Sequence, residues 1–457
     1  MTHTSNAPIT QPRWRRRVAG FVLFCFGWSN LQVGVEHSYR VSLELRAAHA
    51  GPGIDPAGPL AFRPQIGVSG GGVPVIAITA PNQAGLSHNQ YQRFDVDAGG
   101  VILNNSQIAG NSLIGGPVTA NPNLQGRPAL TILNEVTHSG APGQLNGIIE
   151  VFGSPAAVIV ANPNGIVCNG CGVLNTGRFT LTTGVPNWLD ANANASDFAN
   201  AGQFAYDVTG GRIAVEGMGI EGTVGRLDLI GETLAIDAPL RAHYLDGSLS
   251  GITLAAGRQR FRPTDAGGVS SQPLVSTAIG NSPAGYAIDA TALGAMRAGQ
   301  IHIQATEQGL GVNLAGPVVA FQQGIHLDSA GPVQLRQLAA AGEIQLDSDG
   351  NLSIGQDINA GGAIHINSGG SVNMNGGASA GGDLNLNSAG AIDVRGNLYS
   401  GGRVDVTTPS SLRLEGTLDA VDDIQLNSSA LTLNAPLRGN GSLSIDASAD
   451  VSLAGAI

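Results

Sequence analysis

The sequence predicts an all-β protein built as a parallel β-solenoid, or β-helix. Three observations predict it: a twenty-residue repeat toward the C-terminus, alternation of apolar and polar residues inside each repeat, and an unusual composition. The chain carries 67 glycines in 457 residues, with 12% charged and 4% aromatic side chains. An average soluble domain is about 7% Gly and about a quarter charged. Frequent glycine weakens helix interiors and suits tight turns between short strands. At 42% hydrophobic the chain still has enough apolar material for a core, which argues against simple disorder.

The N-terminus is basic and then apolar, "RWRRR" at 13–17 followed by "VAGFVLFCFGW" at 18–28. An apolar run of eleven residues is too short to span a bilayer, which takes about twenty. Residues 1–50 therefore read as a secretory signal peptide with its n- and h-regions, the best small-x-small site falling at Ala48-His49-Ala50. Cys25 lies in the h-region, and Phe24 before it breaks the lipoprotein pattern. The segment holds six Arg and two Glu, a net of +4, so its removal takes the formal charge from −11 to −15. All 22 basic residues are Arg. An acidic mature chain has no electrostatic footprint for nucleic acid, and nucleic acid is excluded as a partner.

Residues 51–255 have strand-and-turn texture without a strict period, as in "ETLAIDAPLRA" at 232–242. The polar, turn-rich stretch 257–274 reads as an excursion from it. Within 317–457 the repeat is regular. Ile344, Ile364, Leu384, Val404 and Ile424 recur every twenty residues, and Leu346, Ile366, Leu386, Val406 and Leu426 follow two residues on. A second set, Leu352, Val372, Ile392 and Leu412, keeps the same spacing, with Gly342, Gly362, Gly382 and Gly402 marking turns. Each repeat is one coil, which cannot bury its apolar face alone but can when coils stack. Asp347, Asn367, Asn387, Thr407 and Asn427, and the row Ser348, Ser368, Ser388, Thr408 and Ser428, are expected as polar ladders at equivalent corners. Roughly twenty coils at about 4.8 Å each would make a rod on the order of 100 Å. The sequence stops inside a coil, at "VSLAGAI", so a longer natural chain is expected.

Little in the sequence suggests catalysis. Gly217, Gly219 and Gly222 make a formal G-x-G-x-x-G, but a dinucleotide site needs a following helix, and "TVGRLDLIGE" is strand-like. His302, His326 and His365 fall at the outward phase of strands, with no metal-site spacing. Outward acids such as Asp383, Asp393 and Asp405 could converge as in solenoid enzymes that cleave polysaccharide, though a solvated charged face explains them as well. No catalytic residue, metal ligand or cofactor is assigned. Cys168 and Cys171 are the only cysteines left after signal removal. No second Cys or His pair completes a zinc site, and no helix start suits a redox Cys-x-x-Cys. In an exported chain the pair is expected as a short-loop disulfide.

Two turns carry the most specific signal. "ANPNL" at 120–124 and "ANPNGI" at 161–166 enclose "LTILNEV" and "LNGIIEVFGSPAAVIV". With "YQRFDVDAGGVILNNS" at 91–106, "CNGCG" at 168–172, "FAYDVTGGRIAVEGMGIEG" at 204–222 and "AIDATALGAMRAGQIHIQATEQGLGV" at 287–312, the chain resembles the two-partner secretion exoproteins of the filamentous haemagglutinin family. The last stretch is similar to the branch with large haemagglutinins and contact-dependent growth inhibition proteins.

That resemblance implies a right-handed parallel β-helix with an N-terminal cap and extra-helical β elements. It implies a secretion domain at 51–316 followed by β-helical repeats at 317–457. It also implies an outer-membrane transporter as partner, and a route through the periplasm of a Gram-negative bacterium to the surface or the medium. By the same resemblance Asn121, Pro122, Asn123 and Leu124, with Asn162, Pro163, Asn164 and Gly165, mark the region needed for secretion. Physically they are tight turns, in which Pro presets φ and Asn and Gly tolerate turn geometry. Two roles stay open for them, contact with the transporter or keeping the cap foldable. The implied function is a haemagglutinin-like adhesin, with a receptor on a host or neighbouring cell as a further partner. The stem of a contact-dependent toxin is the first alternative and a secreted β-helix enzyme the second.

Overall fold

A computed structural model describes residues 53–454 apart from 138, 190–202, 223, 245–246, 265–266 and 275–284. The signal peptide expected over 1–50 lies outside the described residues. The chain winds into a parallel β-helix whose coils present three faces. In the repeats, one coil consists of the strands Ile344–Ser348, Leu352–Ile354 and Ile358–Ala360. Each pairs in parallel with its counterpart twenty residues on, as in Ile344 opposite Ile364, Leu352 opposite Val372 and Ile358 opposite Ala378. Alternation turns Ile344, Leu346, Leu352, Ile354 and Ile358 inward, all 0% exposed. Each such Leu or Ile contributes about 1.5–3 kcal/mol relative to exposure.

The first face is a sheet of fifteen strands from Ile54–Pro56 to Leu443–Ala447. Only its first strand is antiparallel, laid along Leu86–Phe94. The remaining spacings give a rod of roughly 60 Å at about 4.8 Å per step, shorter than the 100 Å expected from the sequence. The difference arises because upstream coils are longer than twenty residues. Gly311–Ala320 and Val333–Ala340 each run along the second and third faces as one strand. Residue 316 therefore falls within a strand, and the ladder continues across it.

The polar rows separate into two kinds. Asp347, Asn367 and Asn387 stand on the outside of the first face rather than at a corner, and bond along the axis. Asn367 Nδ2 donates to Asp347 Oδ1 at 2.8 Å, and Asn387 Nδ2 to Asn367 Oδ1 at 3.1 Å. The hydroxyl row does occupy the corner. Ser368 Oγ donates to Gly350 O at 2.9 Å and Ser388 Oγ to Gly370 O at 2.6 Å, each reaching one coil back. Ser428 Oγ is buried without a partner, where the spacing shortens and Ile424 pairs with Leu443.

Two additions cover the N-terminal half. The hairpin Gln65–Val68 with Pro74–Ala77 caps the first coils, its second strand parallel to Val101–Asn105. A four-stranded antiparallel sheet is made of Val185–Leu189, Gln203–Asp207, Gln259–Pro263 and Val269–Pro273. Tyr206 and Phe261 from that sheet, with Val208 just after its second strand, bury Leu133, Ile159, Ile230 and Ala255 on the outside of the first face. Strands buried on both faces carry apolar residues at both phases. That is the pattern of "AAVIV" and "LDLIG".

Candidate functional site

The two asparagine turns are built alike. At the first, Asn121 caps a one-turn 3-10 helix, Pro122–Leu124, and its Oδ1 accepts from Asn123 N at 3.0 Å. Its Nδ2 donates to Ile78 O at 3.0 Å and Asn104 O at 2.8 Å. Asn123 Nδ2 lies 3.2 Å from both Ala77 O and Ile78 O. The turn thus ties the end of the cap hairpin to strand Val101–Asn105, while Leu124 plugs the core at 1% exposure.

At the second turn, Asn162 Oδ1 accepts from Asn164 N at 3.0 Å and its Nδ2 donates to Ala141 O at 3.3 Å. Asn164 Nδ2 donates to Ser139 O at 2.6 Å. Asn162 N bonds Thr182 O of the next coil at 2.9 Å, and Gly143 N bonds Gly165 O at 3.0 Å. Gly165 has φ 113°, and a Cβ there would lie 2.9 Å from Arg212 O, so only glycine closes this turn. Asn121 and Asn162 are buried, Pro122 is exposed, and Pro163 and Asn164 are half-buried. Asn121 turns its amide to buried carbonyls, Asn162 and Asn164 bond the loop at 139–141, and Pro122 is the exposed tip of the first turn.

Sequence reasoning missed the other buried amides that share this work. Asn105 donates to Ala129 O and Ser154 O, each at 2.9 Å, and Asn134 Oδ1 accepts from Tyr91 Oη at 3.0 Å. Their signal is an Asn at the inward phase of an apolar strand, in "VILNN" and "TILNEV". Also missed was the buried pair of His88 and Glu135, with Nε2–Oε2 at 2.6 Å. The His88 ring lies 4.7 Å from Phe62, in the 3-10 turn Leu60–Phe62 just before the cap hairpin, and 5.2 Å from Trp188 of the four-stranded sheet. One imidazole therefore joins the turn before the cap hairpin, the first-face coil and the added sheet.

The remaining sequence candidates are not brought together. Asp393 lies on the second face and Asp405 on the first, while Asp383 stands at a corner and accepts from Arg403 N at 2.9 Å. Gly217 and Gly219 belong to a bulge in strand Arg212–Gly222, where pairing with Ile166–Leu174 slips between Asn169 and Cys171. Cys168 and Cys171 are disulfide-bonded in that second strand. Among the described residues no group of three or more His, Cys, Asp or Glu is placed to hold a metal ion.

His302 and His326 neighbour one another across adjacent coils, with ring centroids 6.1 Å apart and tilted by 46°, and Gly267 and Gly268 of the added sheet's hairpin lie against His302. Burial, then the charges His326 and Arg226 would carry, hold His302 below its ordinary value of about 6.5. Asp328 also lines this cleft. A lowered histidine contributes stability that is full above its unfolded value. It is lost as pH falls through 6.5 toward the folded value, and changes no further below that. Loss of His302 protection on acidification, followed by imidazole NMR, is the expected result, and His302→Gln should flatten the response.

The described residues thus form a capped parallel β-helix whose first coils carry the two asparagine turns. The chain belongs to the TPS secretion domain family, which it matches over residues 54–335. The "tRNA nuclease CdiA" of Yersinia mollaretii is 40% identical over 283 residues, 62% of this chain and 9% of that protein. The filamentous hemagglutinin of Bordetella pertussis is 35% identical over 294 residues, 64% of this chain and 9% of that protein. Among solved structures, the filamentous hemagglutinin secretion domain superposes with a TM-score of 0.58 at 32% identity, covering 73% of this chain and 99% of that one. The chain spans about a tenth of the length of the curated relatives it matches.

Proposed function

We propose that this chain is the export module and first stalk segment of a haemagglutinin-like exoprotein. It crosses the periplasm of a Gram-negative bacterium and is passed to the surface or medium by a dedicated outer-membrane transporter. The observation that carries this reading is the family match over 54–335, a span that contains both asparagine turns and runs without a break into the repeats. The asparagine turns serve export by holding the first coils together, because their amides bond backbone carbonyls of the cap hairpin, of strand Val101–Asn105 and of the loop at 139–141. Folding of those coils outside the cell, where no ATP is present, resists back-sliding. The stalk holds no catalytic centre in this reading, and adhesion to a host or neighbouring cell is the function of the assembled protein. The similarity to CdiA favours a second reading, the stem of a contact-dependent toxin, in which any nuclease module lies beyond the aligned segment. Coding sequence past residue 457 discriminates the two.

The test places whole coils behind the natural leader. Residues 1–342 should reach the medium when the cognate transporter is present and accumulate in the periplasm when it is deleted. Residues 343–457 fused to residues 1–50 should stay in the periplasm in both strains. Equal export of the repeats alone would end this reading.

A further inference from the structure

The disulfide raises a question of order. Cys168 and Cys171 lie in strand Ile166–Leu174 with their Cα atoms 5.2 Å apart, and neither side chain has any exposure. Both belong to the core of the helix, together with Leu145, Val215 and Ile220. In register, Cys168 sits between Leu145 of the coil before and Val215 of the coil after, and Cys171 pairs with Ile220. The bulge in the later strand closes the remaining approach. Gly219 O lies 3.6 Å from Cys168 Sγ, a packing contact, since a bonded sulfur has no proton to donate. Gly219 has φ 82°, and a Cβ there would lie 2.2 Å from Pro239 O, so the bulge is itself held against the following segment of chain.

Making this bond takes two protons and two electrons from the thiols. By exchange, one cysteine thiolate attacks an oxidant's disulfide to form a mixed disulfide. The second thiolate then displaces the oxidant, which leaves as a dithiol. Both steps need a thiolate and an open line to sulfur, and burial in apolar surroundings denies both.

We propose that Cys168 and Cys171 are oxidised by a protein disulfide oxidant while their segment is still unfolded and free to bend, before Arg212–Gly222 closes over them, and that the folded coil then seals the bond. A sequence separation of 3 permits this order, because the loop closes without tertiary structure and leaves the rest of the chain linear. The ordering rests on burial alone and stands apart from the export reading. Taken with that reading, it puts thiol oxidation upstream of outer-membrane transit.

The test uses the full chain carrying Cys25→Ser, reduced in denaturant and then refolded without reductant. Glutathione disulfide is offered to the denatured and refolded samples, and thiols are counted by alkylation and intact mass. Oxidation of the refolded chain should be slower by at least roughly thirtyfold, limited by local opening of the coil. The oxidised native chain should resist dithiothreitol to the same degree. A reduced chain that cannot regain its β spectrum and cooperative melt would also support the order, since oxidation would then be a condition of folding. A refolded, cooperatively melting reduced chain that oxidises within thirtyfold of the denatured rate would overturn it.

Discussion

Leu384→Asp is expected to unfold the middle of the repeat region, at a cost of about 4 kcal/mol or more. Leu384 has no exposure and is paired between Ile364 and Val404 in the first-face ladder. The substitution removes a packed side chain and leaves a carboxylate with no partner inside the helix. Because solenoid coils touch only their neighbours, the damage should stay local. Hydrogen exchange should show lost protection across 364–368 and 404–407, with strand Thr131–Val136 unchanged. A variant that keeps full protection at 384–388 would mean that Leu384 does not face inward.

Asn121→Ala should be the most damaging change outside the apolar core, at about 2–4 kcal/mol. It takes the 2.8 Å donor from the buried carbonyl of Asn104, leaves Ile78 O with only the longer contact from Asn123 Nδ2 at 3.2 Å, and removes the cap on Asn123 N; an unsatisfied buried group costs about 1–3 kcal/mol and a lost cap about 1 kcal/mol. Asn121→Asp should be no better. The carboxylate keeps the acceptor for Asn123 N but loses both donors and buries a charge. Asn162→Ala should cost less, since its Nδ2 makes one longer bond, 3.3 Å to Ala141 O. Chemical denaturation of the three variants beside wild type ranks them.

Much of this was legible in the sequence, and the boundary between what was and was not has a physical basis. The repeats were readable because nothing interrupts a coil from Ile344 to Ile424, so the inward residues recur at a fixed spacing. Upstream, Ile301 pairs with Ile325 and Ile325 with Ile344, steps of unequal length that hide the period and led to an overlong rod. The excursion at 257–274 was visible as polar turn chemistry. Its partners Val185–Leu189 and Gln203–Asp207 were not, because antiparallel pairing across the coils leaves no local trace. The asparagine turns stood out as motifs, but the direction of their amides depends on carbonyls at 77–78, 104 and 139–141, which no spacing rule connects. The His88–Glu135 pair, 47 residues apart, was invisible for the same reason.

In the proposed function the asparagine turns serve export through the stability of the first coils. Secreted fraction measured against unfolding free energy tests it most directly, for Asn121 and Asn162 variants beside the core controls Leu103→Ala and Val160→Ala. All variants should fall on one shared line, with each asparagine variant secreted as well as a control of equal stability. An asparagine variant that melts like wild type yet accumulates in the periplasm would contradict it, and would assign these side chains to direct recognition by the transporter.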